Sequence, residues 1–221
     1  MNPETDRRRG AIIDVDGTLV RGTTCERQLI LHALSAGILG AGNIALYAAS
    51  LLPSLFLGKP APVRQNRMFY RGVKEVDLLP LMPSLYDERL EKKLRPAMRE
   101  EIARLRSEGY LLILLSGTPM PILTELGKRL GIETLIGAEL ETRGGIYTGR
   151  IAGLHPLGEL KVKALENSAL RDTLDLSRST AFGDSWQDRF LLERVGVPVA
   201  VSPDRRLRTL ARRRGWKVIA D

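Results

Sequence analysis

Ala11-Ile12-Ile13-Asp14-Val15-Asp16-Gly17-Thr18 decides the fold of this chain. An apolar triplet runs straight into two carboxylates two residues apart, followed by a glycine and a threonine. A short apolar run bounded by a turn reads as a buried strand. At the end of such a strand one acid can attack as a nucleophile and the other can exchange a proton, while the backbone between them offers a carbonyl to a metal. Gly17 permits a sharp turn, and Thr18 supplies a hydroxyl and a backbone donor to a bound phosphate. Asp-Gly turns are common at strand ends, so the weight of this reading comes from three partners downstream.

The first partner is Leu111-Leu112-Ile113-Leu114-Leu115-Ser116-Gly117-Thr118, a continuous apolar run ending in a hydroxyl and a glycine, the pattern of a strand buried on both faces. The second is Lys161, at the start of an expected helix. The third is Ala181-Phe182-Gly183-Asp184-Ser185-Trp186-Gln187-Asp188, again an apolar strand end followed by a turn and two acids. In a doubly wound sheet, ligands bind in the crevice outside the carboxyl ends of the strands. The three strand-end motifs would deliver their polar residues there, a set suited to phosphoryl transfer.

These four motifs, in this order and spacing, resemble the haloacid dehalogenase superfamily, and within it the phosphoserine-phosphatase-like branch (subfamily IB). The similarity runs from about Ala11 to the C-terminus, including Val201 through Trp216. The resemblance implies an α/β fold, a doubly wound, Rossmann-like parallel sheet with an inserted helical cap, and a phosphatase that forms an aspartyl-phosphate. It makes Asp14 the nucleophile and Asp16 the general acid and base. It assigns magnesium (Mg2+) to Asp14, the Asp16 carbonyl and Asp184. Phosphate binding falls to Gly17, Thr18, Ser116, Gly117 and Lys161, with Ser185 and Asp188 in support and Asp188 orienting Lys161 or a metal-bound water. Three clustered carboxylates would repel a phosphate unless a divalent cation and an ammonium sat among them, which is the physical reason to infer the metal.

Composition is consistent with this. The 221 residues are 43% hydrophobic, enough for one α/β core and a small accessory domain. A single cysteine, Cys25, excludes an intrachain disulfide and favours a reducing compartment. No apolar stretch of signal-peptide type follows Arg7-Arg8-Arg9, so a cytoplasmic location is expected, with membrane association left open. The net charge of +8 and pI near 9.9 favour anionic partners. No aromatic-interleaved basic platform accompanies the clusters Arg7-Arg8-Arg9 and Arg205 through Arg214, so nucleic acid is not expected.

Strand and helix patterns alternate along the chain, as a parallel sheet requires. Helices are expected at Pro96–Ser107, Pro121–Leu130, Lys161, Phe190 and Asp204–Arg214. Strands are expected at Ala11–Val15, Tyr110–Leu115, Thr134–Ile136, Thr180–Gly183, Pro198–Val201 and near Val218. The alternating stretch Glu139–Ala152, with Gly144-Gly145, reads as a hairpin. Residues 1–20 and 96–221 form the expected core, and 21–95 the expected cap, with Arg21-Gly22 and Arg95-Pro96 as its hinges.

Gln28 to Gly58 contains no Lys, Arg, Asp or Glu. At about 30 residues it exceeds the usual membrane-span threshold of about 18–20. A single crossing would put Asp14 and the other motifs on opposite sides of a bilayer and is excluded. Three readings stay open: a pair of buried cap helices broken near Gly40 to Gly42, a helical hairpin dipping into a membrane surface, and a homodimer interface.

In phosphoserine phosphatases a Glu nine residues after the nucleophile reads the substrate amine; here Thr23 stands there, with Glu26 three residues on. Phosphoserine itself is thereby in doubt. A phosphorylated small molecule, histidinol phosphate included, and a lysophospholipid-like monoester are the substrate classes left. His32, Arg64, Arg67, Arg71 and His155 read first as structural or solvated. A phosphotransferase with the same intermediate and a catalytically idle membrane or protein adaptor are the alternatives, and the complete motif set disfavours the adaptor.

Overall fold

Two faces of one sheet account for the apolar runs. The computed structural model describes residues 7–57 and 66–220, without the side chains of residues 53–57. Strands β1 (Gly10–Ile13), β2 (Leu111–Pro119), β3 (Thr134–Arg143), β4 (Ile146–Ala152), β5 (Thr180–Gly183), β6 (Val197–Val201) and β7 (Lys217–Ile219) pair in the order β4-β3-β2-β1-β5-β6-β7. All neighbours are parallel except β3 and β4, the hairpin through Gly144 and Gly145. Along β1, Ala11 and Ile13 enter one apolar cluster while Ile12 enters the other; along β2, Leu112 and Leu114 alternate in the same way with Ile113 and Leu115. Period-2 alternation between two dry faces is why these strands read as unbroken apolar runs.

The helices are α1 (Cys25–Ser35), α2 (Ala41–Leu57), α3 (Glu75–Leu78), α4 (Met82–Leu85), α5 (Pro96–Ser107), α6 (Met120–Leu130), α7 (Glu159–Glu166), α8 (Arg189–Leu192) and α9 (Arg205–Arg214). Ile102 and Leu105 of α5 and Ile122, Leu123 and Leu126 of α6 cover one face of the sheet. Val162 and Leu165 of α7, Leu191 of α8, and Leu207 and Ala211 of α9 cover the other. Gly131 and Gly215 close α6 and α9 in the left-handed conformation, which glycine adopts without steric penalty. The chain leaves β1, crosses to β2 on one side, then returns to β5 on the other. The switch point therefore lies at the carboxyl end of β1.

Helices α1 to α4 lie in the helical insertion between β1 and α5. Its two connections meet: Val20 and Leu94 form an antiparallel bridge, Arg21 N donates to Lys93 O at 2.9 Å, and Arg95 N donates to Leu19 O at 2.9 Å. Cys25, Leu29 and Ala33 of α1 are fully buried. No described side chain of α2 is buried, so the reading of two buried cap helices holds for α1 and fails for α2. The break between them spans residues 36–40. No helix among the described residues is long and apolar enough to cross a membrane.

Candidate active site

The site is assembled from the carboxyl ends of β1, β2 and β5 and the first turn of α7. Asp14 N donates to Phe182 O at 3.1 Å, carrying the β1–β5 alignment one residue past the strand and fixing Asp14, 5% exposed, over the crevice. Gly17 has φ +92°, and a Cβ built there would lie 2.1 Å from Asp184 Oδ2. Only glycine lets the two loops close to this distance. Thr18 Oγ1 donates to Asp14 Oδ2 (3.0 Å) and lies 3.3 Å from Asp184 Oδ1. The turn is braced from behind by Arg95, which donates to Gly17 O (2.9 Å), Thr18 O (3.0 Å) and Ser202 Oγ (3.0 Å).

Lys161 Nζ donates to Asp14 Oδ1 at 2.7 Å and to Asp188 Oδ1 at 2.5 Å, and all three side chains are nearly inaccessible. Burial opposes the ammonium, but the two carboxylates outweigh it and hold the Lys161 pKa above its ordinary value. Asp188 is buried too, yet Lys161 keeps its pKa below the usual range. The other oxygen of Asp188 accepts from Ser185 N (3.0 Å) and Ser185 Oγ (2.8 Å), a capping box that locks the rotamer. Burial raises Asp14 to about 6 against the pull of Lys161, which leaves it ionised at neutral pH.

Asp16 faces the insertion. Its Oδ1 accepts from Cys25 N (2.7 Å), at the start of α1, and its Oδ2 from Thr118 Oγ1 (3.2 Å). Burial raises its pKa despite these donors. Thr118 in turn lies 3.0 Å from Ser116 Oγ, so the β2 motif and the second carboxylate share one hydroxyl chain. Asp184 is pushed to about 7, first by burial and then by the charges of Asp14 and Asp188. Carboxylate oxygens of Asp14, Asp184 and Asp188 fall within 4.8 Å of one another, so this cluster can hold a divalent cation. The frustrated charge on Asp184 is what such an ion would relieve. The Asp16 carboxylate is not one of the three in that cluster.

A crevice of about 540 Å³ joins these groups to the insertion. Gly117 sits on its floor, and its carbonyl accepts from His155 Nε2 at 3.2 Å. This leaves Nδ1 of a neutral imidazole as a buried acceptor without a hydrogen-bond partner among the described residues. Burial and the charge of Arg67 depress the His155 pKa. Overhead, Glu26 Oε1 lies 2.7 Å from Arg67 Nε, and burial raises Glu26 to about 7. Asp14, Asp16, Ser116, Gly117, Lys161, Asp184, Ser185 and Asp188 all line this crevice, and Gly17 and Thr18 form the turn beside it. Arg67 and His155, read from sequence as structural or solvated, line it as well. His32 does not; it is buried against Ser84 Oγ (2.8 Å) and Arg89. Arg71 is exposed on the insertion, and Arg64 lies outside the described residues. Sequence reading quoted Thr118 in its motif without giving it a role, and took Arg95 as a hinge position and not as a brace. The first carried a signal, a second hydroxyl two residues after Ser116; the second carried none.

A family model described as haloacid dehalogenase-like hydrolase matches residues 11–193. The chain belongs to the haloacid dehalogenase-like hydrolases. Phosphoserine phosphatase SerB1 of Mycobacterium tuberculosis is 34% identical over 98% of this chain and 72% of that protein. A histidinol-phosphatase of Neisseria meningitidis is 34% identical over 95% of this chain and 97% of its own length. Among solved structures, a Bordetella pertussis protein of unknown function superposes with a TM-score of 0.82 at 26% identity, covering 96% of this chain and 98% of the other. This haloacid dehalogenase-like hydrolase is of the phosphoserine-phosphatase-like kind, a phosphoric monoester hydrolase.

Proposed function

We propose that this hydrolase is a magnesium-dependent phosphomonoesterase that works through an aspartyl-phosphate on Asp14. The observation that carries this reading is Lys161, held between Asp14 and Asp188 with Asp184 facing them across the same crevice. An ionised Asp14 oxygen attacks phosphorus, and the bond from phosphorus to the leaving oxygen breaks. Asp16, kept protonated more readily by its burial, gives its proton to that oxygen. In the second step Asp16 takes a proton from water as the water oxygen attacks phosphorus, and the bond to Asp14 breaks to release phosphate. Ser116, the turn at Gly17 and Thr18, and the Gly117 backbone surround the phosphoryl group, while Lys161 offsets its charge. Asp188 and Ser185 keep Lys161 in place. Asp14, Asp184 and the Asp16 carbonyl would hold Mg2+, which supplies positive charge to a bound phosphate.

The leaving group meets Glu26, Arg67 and His155, a polar set that suits a small alcohol bearing an amine or imidazole. The named activities of the mycobacterial and neisserial relatives support phosphoserine and histidinol phosphate as the first candidates. Thr23 in place of the family's glutamate favours histidinol phosphate of the two. Phosphate release should be measured for wild type and Asp14→Asn, with magnesium or chelator, on phosphoserine, histidinol phosphate and a lysophosphatidate in mixed micelles. Magnesium-dependent release that Asp14→Asn abolishes supports the reading, and the preferred ester names the substrate class. Release that survives Asp14→Asn or chelation overturns it.

A further inference from the structure

Helix α2 is amphipathic in the wrong sense for a water-facing helix. Its described side chains include three polar ones, Asn43, Tyr47 and Ser50, and every other described residue is Ala, Gly, Ile or Leu. At about 100° per residue those three fall on one stripe roughly 60° wide. That polar stripe faces the protein. Asn43 Nδ2 donates to Phe69 O (2.9 Å), Tyr47 stacks on Phe69 with centroids 3.7 Å apart, and Ser50 Oγ accepts from Asn66 Nδ2 (2.6 Å). The apolar residues face outward, with Ile44, Leu46 and Leu52 exposed by 39, 43 and 49%. Helices on soluble domains show the reverse pattern.

Three observations choose the occupant of this face. The exposed positions from Ala41 to Leu52 sweep an arc of about 200°, whereas a partner helix covers a stripe of about 100°. A single helix of a second copy would leave half of the surface wet, whereas lipid would cover all of it. Charge gives the second observation. The stretch from Gln28 to Gly58 has no acidic residue, and two exposed arginines, Arg71 and Arg150, neighbour residues of its polar stripe. Arg71 is tied to Asn43 through its carbonyl (3.4 Å), and Arg150 lines the cavity that Ser50 walls, whose described lining includes no carboxylate. The third is reach: no helix among the described residues is long and apolar enough to cross a membrane, which leaves α2 to meet lipid along its side.

We propose that α2 lies along an anionic lipid surface, with Ile44, Leu46 and Leu52 in the acyl-headgroup boundary and Arg71 and Arg150 against lipid phosphates. The cavity that Ser50 walls shares His155 with the active-site crevice. The inference does not depend on which ester is hydrolysed.

The test is flotation of the full chain with vesicles of phosphatidylcholine containing phosphatidylglycerol, alongside far-UV circular dichroism, melting temperature and light-scattering mass. Wild type should float with the vesicles. The double variant Ile44→Glu, Leu52→Glu should lose at least about ten-fold in bound fraction while keeping its helicity and melting temperature. Arg71→Gln with Arg150→Gln should lose several-fold on the same vesicles. A wild type that stays in solution, or a double variant that floats as well as wild type, overturns the proposal. So does a wild-type dimer that the double variant dissolves into monomers without any vesicle binding.

Discussion

The backbone N–H of Cys25, the first residue of helix α1, donates to the Asp16 carboxylate at 2.7 Å. The start of the inserted segment therefore touches the group proposed to move the proton. A backbone donor is removed by proline, and here the site tolerates it: proline suits the first position of a helix, and Thr24 already has the extended conformation (φ −101°, ψ 147°) that precedes proline. Cys25→Pro should lower kcat by about ten-fold or more, whereas Cys25→Ala, which keeps the N–H, should not. The N–H lowers the Asp16 pKa, so its loss should move the alkaline limb of the pH–rate profile upward. Steady-state kinetics of both variants across pH checks this.

Replacing Lys161 by Met leaves two buried carboxylates facing each other without their cation. At pH 7 and in chelator this should cost about 3–5 kcal/mol of stability. Without the ammonium both carboxyls titrate higher in the folded state, so lowering the pH protonates them and relieves the repulsion. The gap to wild type should narrow between pH 7 and pH 5, as urea unfolding at both values would show.

Asp184 has its carboxyl raised to about 7 by burial and by Asp14 and Asp188. With no cation bound, its contribution to stability is complete below the ordinary carboxylate range and is lost as pH rises through about 7. A cation reverses that loss because it binds the ionised form. The gain in melting temperature from magnesium over chelator should be larger at pH 7.5 than at pH 5.5 and nearly absent in Asp184→Asn. Differential scanning calorimetry at the two pH values decides it.

Arg95, 3% exposed, satisfies the carbonyls of Gly17 and Thr18 from behind the catalytic turn. Arg95→Met should leave both acceptors buried without these donors, at a cost of about 2–4 kcal/mol, and should reduce kcat by loosening the turn. Chemical denaturation and kinetics on the purified variant measure the two effects separately.

Where a local pattern carried the information, sequence and structure agree closely. Thr180–Gly183 and Pro96–Ser107 have the expected bounds because an apolar run ends at a glycine in one and a proline opens a helix in the other. The stretch Thr134–Ile136 read as a short strand separate from the hairpin, whereas β3 runs unbroken from Thr134 to Arg143. Gly137 caused the misreading. It is a strand residue whose missing side chain lets Met120 and Leu123 approach, since a Cβ would lie 2.7 Å from Met120 Sδ. The four motifs were legible because each sits at a strand or helix end with fixed spacing. The pair Glu26–Arg67 and the brace from Arg95 join residues tens of positions apart, and no local spacing encodes such a contact. The apolar composition of α2 was plain in the sequence. Which way its polar stripe points depends on Phe69 and Asn66, and only the packed structure supplies that.

The bridge between Val20 and Leu94 is one attachment of the inserted segment; the other is β4, where Lys74 bridges Ile146 and Tyr147 N donates to Val73 O at 2.9 Å. The segment therefore reaches from the switch point beside β1 to the far edge of the sheet and is pinned at both. A change near its start is felt in the site, because Cys25 N reaches Asp16 and Asp16 reaches Ser116 through Thr118. Room for variation lies instead in the parts of the segment that do not border the crevice, away from Thr24, Cys25, Glu26 and Arg67.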